Sequence, residues 1–207
     1  MVRIPADLLR RHDPRLMSYW NTNVARHPGI LRAVPGGCST ALDVGCGDGL
    51  LVRKLASVVP SVTGIDKSPE MVAQARSLSG DRFVEGDFLA ADLGAYDFIC
   101  SVATIHHLDF EAALTRMRDL LNPGGALVVV GLARDANVTD RAATLAAAPL
   151  VRVVKTVRRA HGPDGMPERQ PRMSYREVRT AAQRLLPGVR YRRHVLRRYS
   201  LTWRKPS

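Results

Sequence analysis

The chain has 207 residues, room for one domain with a substantial core. Hydrophobic residues make up 45% and charged residues 24%, the balance of a globular protein, and no apolar run approaches the roughly 18–20 residues that span a bilayer. The formal charge is +12 and unevenly placed: residues 1–149 hold 15 basic and 16 acidic side chains, whereas residues 150–207 hold 16 basic and 3 acidic.

In chain order, residues 1–39 read as a helical lead-in, with Tyr19, Trp20, Asn21 and His27 as candidates for a lid. Its N-terminus contains Asp7 and Asp13 and no apolar core of the signal-peptide type, so the expected location is cytoplasmic. From residue 40 the pattern changes. Ala41–Val44 is a short apolar run ending in glycines, as a buried parallel strand does. Leu50–Val58 predicts a helix and Ser61–Ile65 a second strand. Ser68 followed by Pro69 opens the next helix with a cap and a first-turn proline. Arg82–Val84 and Tyr96–Val102 predict the third and fourth strands. Phe110–Leu121 predicts a helix stopped by Asn122-Pro123-Gly124-Gly125, and Ala126–Val130 a fifth strand. Strands alternating with helices give βαβ units and a mostly parallel sheet.

Beyond residue 132, Asp140–Val154 predicts a helix. Arg159–Arg172, with three prolines and two glycines, predicts a loop. Ser174 with Glu177 three residues on forms a capping box for a helix to about Leu186. Val189–Leu196 and Tyr199–Trp203 predict an antiparallel hairpin. Cys38, Cys46 and Cys100 match no zinc spacing and are odd in number, which favours reduced thiols; no metal is expected.

The segment Asp43-Val44-Gly45-Cys46-Gly47-Asp48-Gly49 follows the first strand and opens its helix. Closely spaced glycines let the backbone turn tightly and approach a ligand. Turns need glycine too, so the segment alone is weak. Asp66 ends the second strand 21 residues after Gly45, where a carboxylate accepts ribose hydroxyls; a capping role is the alternative. Asp87, at the end of the third strand, either accepts from an adenine amino group or caps the short segment after it. Acidic residues at three successive strand ends are far more specific than any one of them. A dinucleotide enzyme is disfavoured: its fingerprint puts the third glycine where Leu50 stands.

ALDVGCGDG, TGIDKSPEM, RFVEGDF, YDFICSVATIHHL and LLNPGGAL, in that order, resemble the class I S-adenosylmethionine-dependent methyltransferases. The likeness is greatest to their small-molecule branch, of the ubiquinone and menaquinone biosynthesis type, and covers about residues 19–133. It implies a Rossmann-like α/β fold: a seven-stranded, mostly parallel sheet with an antiparallel last strand and helices on both faces. It implies one methyltransferase domain over residues 40–207, with 134–173 as a substrate-side insertion. It implies S-adenosyl-L-methionine as cofactor and S-adenosyl-L-homocysteine as product. By the same resemblance Gly45, Cys46, Gly47 and Gly49 form the loop under the methionine part, organised by Asp43. Asp66 holds the ribose, Lys67 lies along the adenosine, and Asp87 with Phe88 reads adenine. Ser101, Val102 and Tyr19 line the rest of the cofactor site.

His106 and His107, just past the fourth strand, are the strongest catalytic candidates, because a hydroxyl or carbon nucleophile gains from a base. Closing the pocket wall is their plainer role. No Asn-Pro-Pro-Tyr-type tetrad follows the fourth strand, where Ser101-Val102-Ala103-Thr104 stands; this disfavours exocyclic base amines as targets. A small organic molecule is the first expected acceptor. RNA, drawn to the basic C-terminal third, is the second. A cofactor-binding protein without catalysis is the third. The sequence leaves the acceptor atom and the oligomeric state open.

Overall fold

The computed structural model describes residues 21–80, 82–136, 170–195 and 197–207, together with 149, 152 and 156. The strands are β1 (Thr40–Val44), β2 (Ser61–Asp66), β3 (Arg82–Glu85), β4 (Tyr96–Val102), β5 (Leu121–Leu132), β6 (Arg190–Arg193) and β7 (Arg198–Arg204). They form one seven-stranded sheet in the order β3-β2-β1-β4-β5-β7-β6. β1 to β5 pair in parallel, and β7 runs antiparallel to both β5 and β6. This is the Rossmann-like sheet with an antiparallel last strand.

The helices are α1 (His27–Leu31, preceded by a 3₁₀ turn over Val24–Arg26), α2 (Leu50–Ala56), α3 (Pro69–Leu78), α4 (Phe110–Asp119) and α5 (Tyr175–Leu185). Side chains alternate along each strand and so feed two cores. Ala41, Phe98, Cys100, Val128 and Val130 pack with α1, α2 and α3. Leu42, Val44, Ile99, Leu127, Val129 and Leu201 pack with α4 and α5 on the other face. Strands buried on both faces are why the sequence reads as apolar runs rather than alternation.

The caps read from sequence are present. Ser68 accepts from the Met71 amide at 3.3 Å. Ser174 accepts from the Glu177 amide while Glu177 accepts from the Ser174 amide, so both halves of the capping box are made. Several boundaries differ from expectation, among them the strand expected over Val189–Leu196, which spans Arg190–Arg193. α2 stops at Ala56, because the Val58 and Val59 amides both turn back to the Leu55 carbonyl and drop Val59 into the core. α4 stops at Asp119, because Leu121 pairs with Tyr96 and opens β5 early. The Asn122–Gly125 stretch, expected to precede the strand, lies inside β5, with a register irregularity opposite it between Tyr96 and Phe98. Of the expected Asp140–Val154 helix only Pro149 and Arg152 are described, both helical; the rest of it and most of the Arg159–Arg172 loop lie outside the described residues, as do Tyr19 and Trp20.

Candidate functional site

The sheet order places β1 between β2 and β4, so the strands are added on one side of β1 through β3 and on the other side from β4 onward. A crevice opens at the carboxyl ends of the strands at such a point. A cleft of about 780 Å³ occupies it. It collects residues from the ends of β1, β2, β3, β4, β5 and β7 and from the lead-in.

The glycine loop forms its floor. The Gly45 and Cys46 amides donate to the Ile65 carbonyl at 2.8 and 3.1 Å, which pins the loop to the end of β2. Gly45 has φ +75°. A Cβ there would lie 2.1 Å from Thr104 Oγ1, so the loop and the turn after β4 meet where only a glycine fits. The Gly47 amide donates to Asp66 Oδ2 at 2.9 Å and the Ser68 amide to Asp66 Oδ1 at 3.0 Å. Asp66 therefore organises the loop and starts α3, which is the capping alternative its position suggested. Each carboxylate oxygen keeps acceptor capacity for hydroxyl groups.

Asp43 is 2% exposed and lines the cleft. Burial pushes its carboxyl up to about 7; the Cys100 thiol, donating at 3.6 Å, opposes this, and Asp66 and Asp48 reinforce it. An ammonium or sulfonium cation is the natural complement to such a group. Asp87 accepts from the Leu89 amide at 2.9 Å and still lines the cleft. Phe88 turns its ring into the core beneath the Arg116 guanidinium, 5.6 Å from the ring centre. This leaves its backbone as the group suited to an adenine. Lys67, Cys46 and Val102 also line the cleft.

Two expected cofactor residues stand behind the cleft. Gly49, at φ +76°, starts α2 and packs on Phe83, which a Cβ would meet at 2.7 Å. Ser101 is fully buried and donates to the Val44 carbonyl at 2.9 Å, tying β4 to β1.

His106 and His107 sit on a 3₁₀ turn over Ile105–His107 at the cleft wall, ring centroids 4.1 Å apart. Burial, then His107 and Arg198, hold the His106 imidazole down near 4, so it is neutral at neutral pH. Its Nδ1 is buried without a hydrogen-bond partner among the described residues.

Several cleft residues escaped the sequence reading. Ala103 and Arg197 line the cleft, and they are the two described non-glycine residues with positive φ, at 54° and 58°. Such strain, on the order of 1 kcal/mol or more each, concentrates at functional sites. Arg198 joins from β7, nearly a hundred residues after His106, and no local signal announces it. Gln170 and Pro171, at the end of the 134–173 segment, also reach the cleft. Of the lead-in, the expected lid residues Asn21 and His27 line the cleft, together with Thr22, Asn23 and Val24, which the sequence reading did not single out. His27 is buried, and burial and Lys54 push it down to about 3, leaving it a neutral hydrogen-bonding group 3.5 Å from the Lys54 amine.

The donors and acceptors present suit an adenosine-type sulfonium cofactor: a glycine cradle and acidic residues at three strand ends, of which Asp43 is buried. Comparison with known proteins agrees. The methyltransferase domain family matches residues 42–129. An uncharacterised methyltransferase of Mycobacterium tuberculosis is 32% identical over 195 residues, 90% of this chain and 98% of that protein. A ubiquinone biosynthesis O-methyltransferase of Xanthomonas campestris pv. campestris is 37% identical over 111 residues, 49% of this chain and 46% of that enzyme. Among solved structures, the N-methyltransferase NodS from Bradyrhizobium japonicum, in complex with S-adenosyl-L-homocysteine, covers 98% of both chains. Its TM-score is 0.59 and its identity 22%, a likeness of fold.

Proposed function

This chain belongs to the S-adenosylmethionine-dependent methyltransferases, and we propose that it moves the methyl group to a small organic acceptor. The observation that carries this reading is the single cleft that gathers Asp43, the Gly45–Gly47 loop, Asp66, Asp87 and the histidine pair. Bound S-adenosylmethionine supplies an electrophilic methyl group on a sulfonium, and S-adenosylhomocysteine is its product. Asp43 offers its charge to the methionine ammonium, Asp66 accepts from the ribose hydroxyls, and Asp87 with the Phe88 backbone reads adenine. Lys67 lies along the adenosine. His106 and His107 border the acceptor and help to exclude water, since the reaction needs an in-line nucleophile rather than a metal.

The domain reading follows the same lines. Residues 40–207 form the catalytic unit and 1–39 a lid, a role supported by five lead-in residues on the cleft wall. Residues 134–173 serve acceptor choice, supported by Gln170 and Pro171 at its edge. Among the described residues no helix is long and apolar enough to cross a membrane.

RNA as acceptor is the second reading, favoured by exposed Arg190, Arg192 and Arg193 on the edge strand β6. The deciding experiment incubates the protein with methyl-labelled S-adenosylmethionine and an extract of its source cells. Label in the small-molecule fraction supports the proposal. Label in RNA, with binding that weakens steeply as salt rises, replaces it with the second reading. Cofactor binding without transfer to any fraction points to a non-catalytic binding protein.

A further inference from the structure

The methionine end of S-adenosylmethionine carries two charges on one carbon, an ammonium and a carboxylate. Asp43 answers the first. The glycine loop beside it has little left for the second. The Gly45 and Cys46 amides donate to the Ile65 carbonyl, the Gly47 amide to Asp66, the Gly49 amide to the Cys46 carbonyl and the Leu50 amide to Asp48. The local charge is also wrong for an anion, since Asp66 and Asp48 both bear on Asp43. A donor backed by a cation must come from outside the loop.

His27 meets that need. It opens α1, whose Ile30 and Leu31 share a core with Leu51 and Leu55 of α2, the helix that the glycine loop starts. Leu50 and Leu51, in the first turn of α2, line the cleft together with His27. One turn further on, the Lys54 amine reaches His27 Nδ1 at 3.5 Å. An ammonium has donors and no acceptor, so Nδ1 accepts and the ring carries its proton on Nε2. That nitrogen has no hydrogen-bond partner among the described residues. Lys54 is half-buried and forms no ion pair among the described residues. The other cations of the cleft stand elsewhere. Lys67 lies just past the end of β2, and Arg197 and Arg198 enter at the start of β7, beyond β4 and β5.

We infer that His27 receives the carboxylate of the cofactor's methionine end, donating from Nε2, and that Lys54 is a positioning residue that fixes the ring's tautomer and supplies the opposite charge. This rests on the methyltransferase reading above. The amino-acid end is then gripped from two sides, by Asp43 at the end of β1 and by His27 in the lead-in. Burial keeps the imidazole neutral, so it acts as a directed donor while the charge stays on the lysine behind it. The carboxylate in turn gives Lys54 the anion that its half-buried position lacks. An adenosine ligand without that carboxylate loses both the hydrogen bond and the attraction of the lysine.

The test is titration calorimetry of the full chain at constant pH with three adenosine ligands: S-adenosylhomocysteine, its decarboxylated analogue S-adenosyl-3-thiopropylamine, and 5′-methylthioadenosine. The analogue keeps the ammonium and should bind at least about tenfold more weakly than S-adenosylhomocysteine, the scale of a charge-assisted hydrogen bond. His27→Phe should erase most of that preference. His27→Gln, which keeps an N–H donor, should retain part of it, and Lys54→Met should lose part of it. 5′-Methylthioadenosine has no amino-acid end, so it should bind every variant as it binds the parent chain, which also reports that the variants are folded. Equal binding of S-adenosylhomocysteine and the analogue by the parent chain overturns the inference, as does a preference left intact in His27→Phe. A preference left intact in Lys54→Met overturns the role of the lysine. A preference that falls only in step with 5′-methylthioadenosine affinity assigns both residues to packing and overturns the inference too. Failure of all three ligands to bind the parent chain overturns the underlying methyltransferase reading instead.

Discussion

Asp43 is a carboxyl that folding has made expensive to ionise. Burial raises it to about 7, well above the ordinary carboxylate range. A group raised in the folded state binds more protons there than in the unfolded chain. Its contribution to stability is therefore greatest at low pH and declines as pH rises from about 4 to about 7. A bound ammonium reverses the preference. Affinity for S-adenosylmethionine should thus weaken by up to about tenfold per pH unit below 7 and level off above it. Titration calorimetry from pH 5.5 to 8 checks this; a flat affinity would mean that Asp43 does not face the cofactor's cation. Asp43→Asn should remove the pH dependence, weaken cofactor binding, and raise the melting temperature of the free protein above pH 7. His106 gives a second prediction at this scale. With its imidazole near 4 it is neutral throughout the neutral range. His106→Ala should cut turnover about tenfold or more by loosening the acceptor, without moving the pH profile above pH 5. Unchanged turnover would remove His106 from the acceptor site. A pH profile that loses a limb near neutrality would instead make it a general base.

At the scale of elements, the capping box on α5 is the most testable local device. Ser174→Ala leaves the Glu177 amide without its acceptor and should cost about 1 kcal/mol, measured by urea unfolding. An equal loss in a Ser174→Gly variant would point to packing of this buried residue rather than the cap. The box was legible because its two residue types and their spacing are the mechanism itself. The strands were legible because parallel strands covered on both faces must be apolar. Where local chemistry and tertiary pairing compete, the sequence was less clear. Asn122-Pro123-Gly124-Gly125 carries every sign of a turn. Yet Leu121 pairs with Tyr96, and Asn122 donates to Asp97 at 2.7 Å. Asp97 in turn accepts from the Ser39 and Thr40 amides at 2.9 and 3.0 Å, fastening the start of β1 at the sheet end away from the cleft. Gly49 shows the same competition. Its spacing suggests the ligand, whereas its φ and its contact with Phe83 assign it to the α2 turn.

The whole molecule explains why the floor of the cleft could be read residue by residue and the opposite wall mostly in outline. The floor comes from β1, β2 and β3 in succession, so its acidic residues fall at regular intervals in the sequence. The opposite wall comes from chain returns: the lead-in, the end of the 134–173 segment, and β7, which inserts between β5 and β6 and brings Arg198 beside Leu132 at the cleft. Lys205 then fastens the chain end, donating to the carbonyls of Arg118 and Leu121 at 3.1 and 2.6 Å. A ligand in such a cleft touches segments from both halves of the chain and must be released before the sheet unfolds. Binding should therefore stabilise the protein globally, by about 2.7 kcal/mol at a hundredfold excess over Kd. For a chain of this length that is a rise of about 5–10 °C in Tm with S-adenosylhomocysteine. Asp66→Ala loses the acceptor of the Gly47 and Ser68 amides, so the free variant should melt lower. The ligand-induced rise at the same concentration separates the two roles of Asp66. If it falls to near zero, Asp66 binds the cofactor. If the full rise survives in a less stable variant, Asp66 serves the loop alone, and the ribose is held elsewhere on the wall.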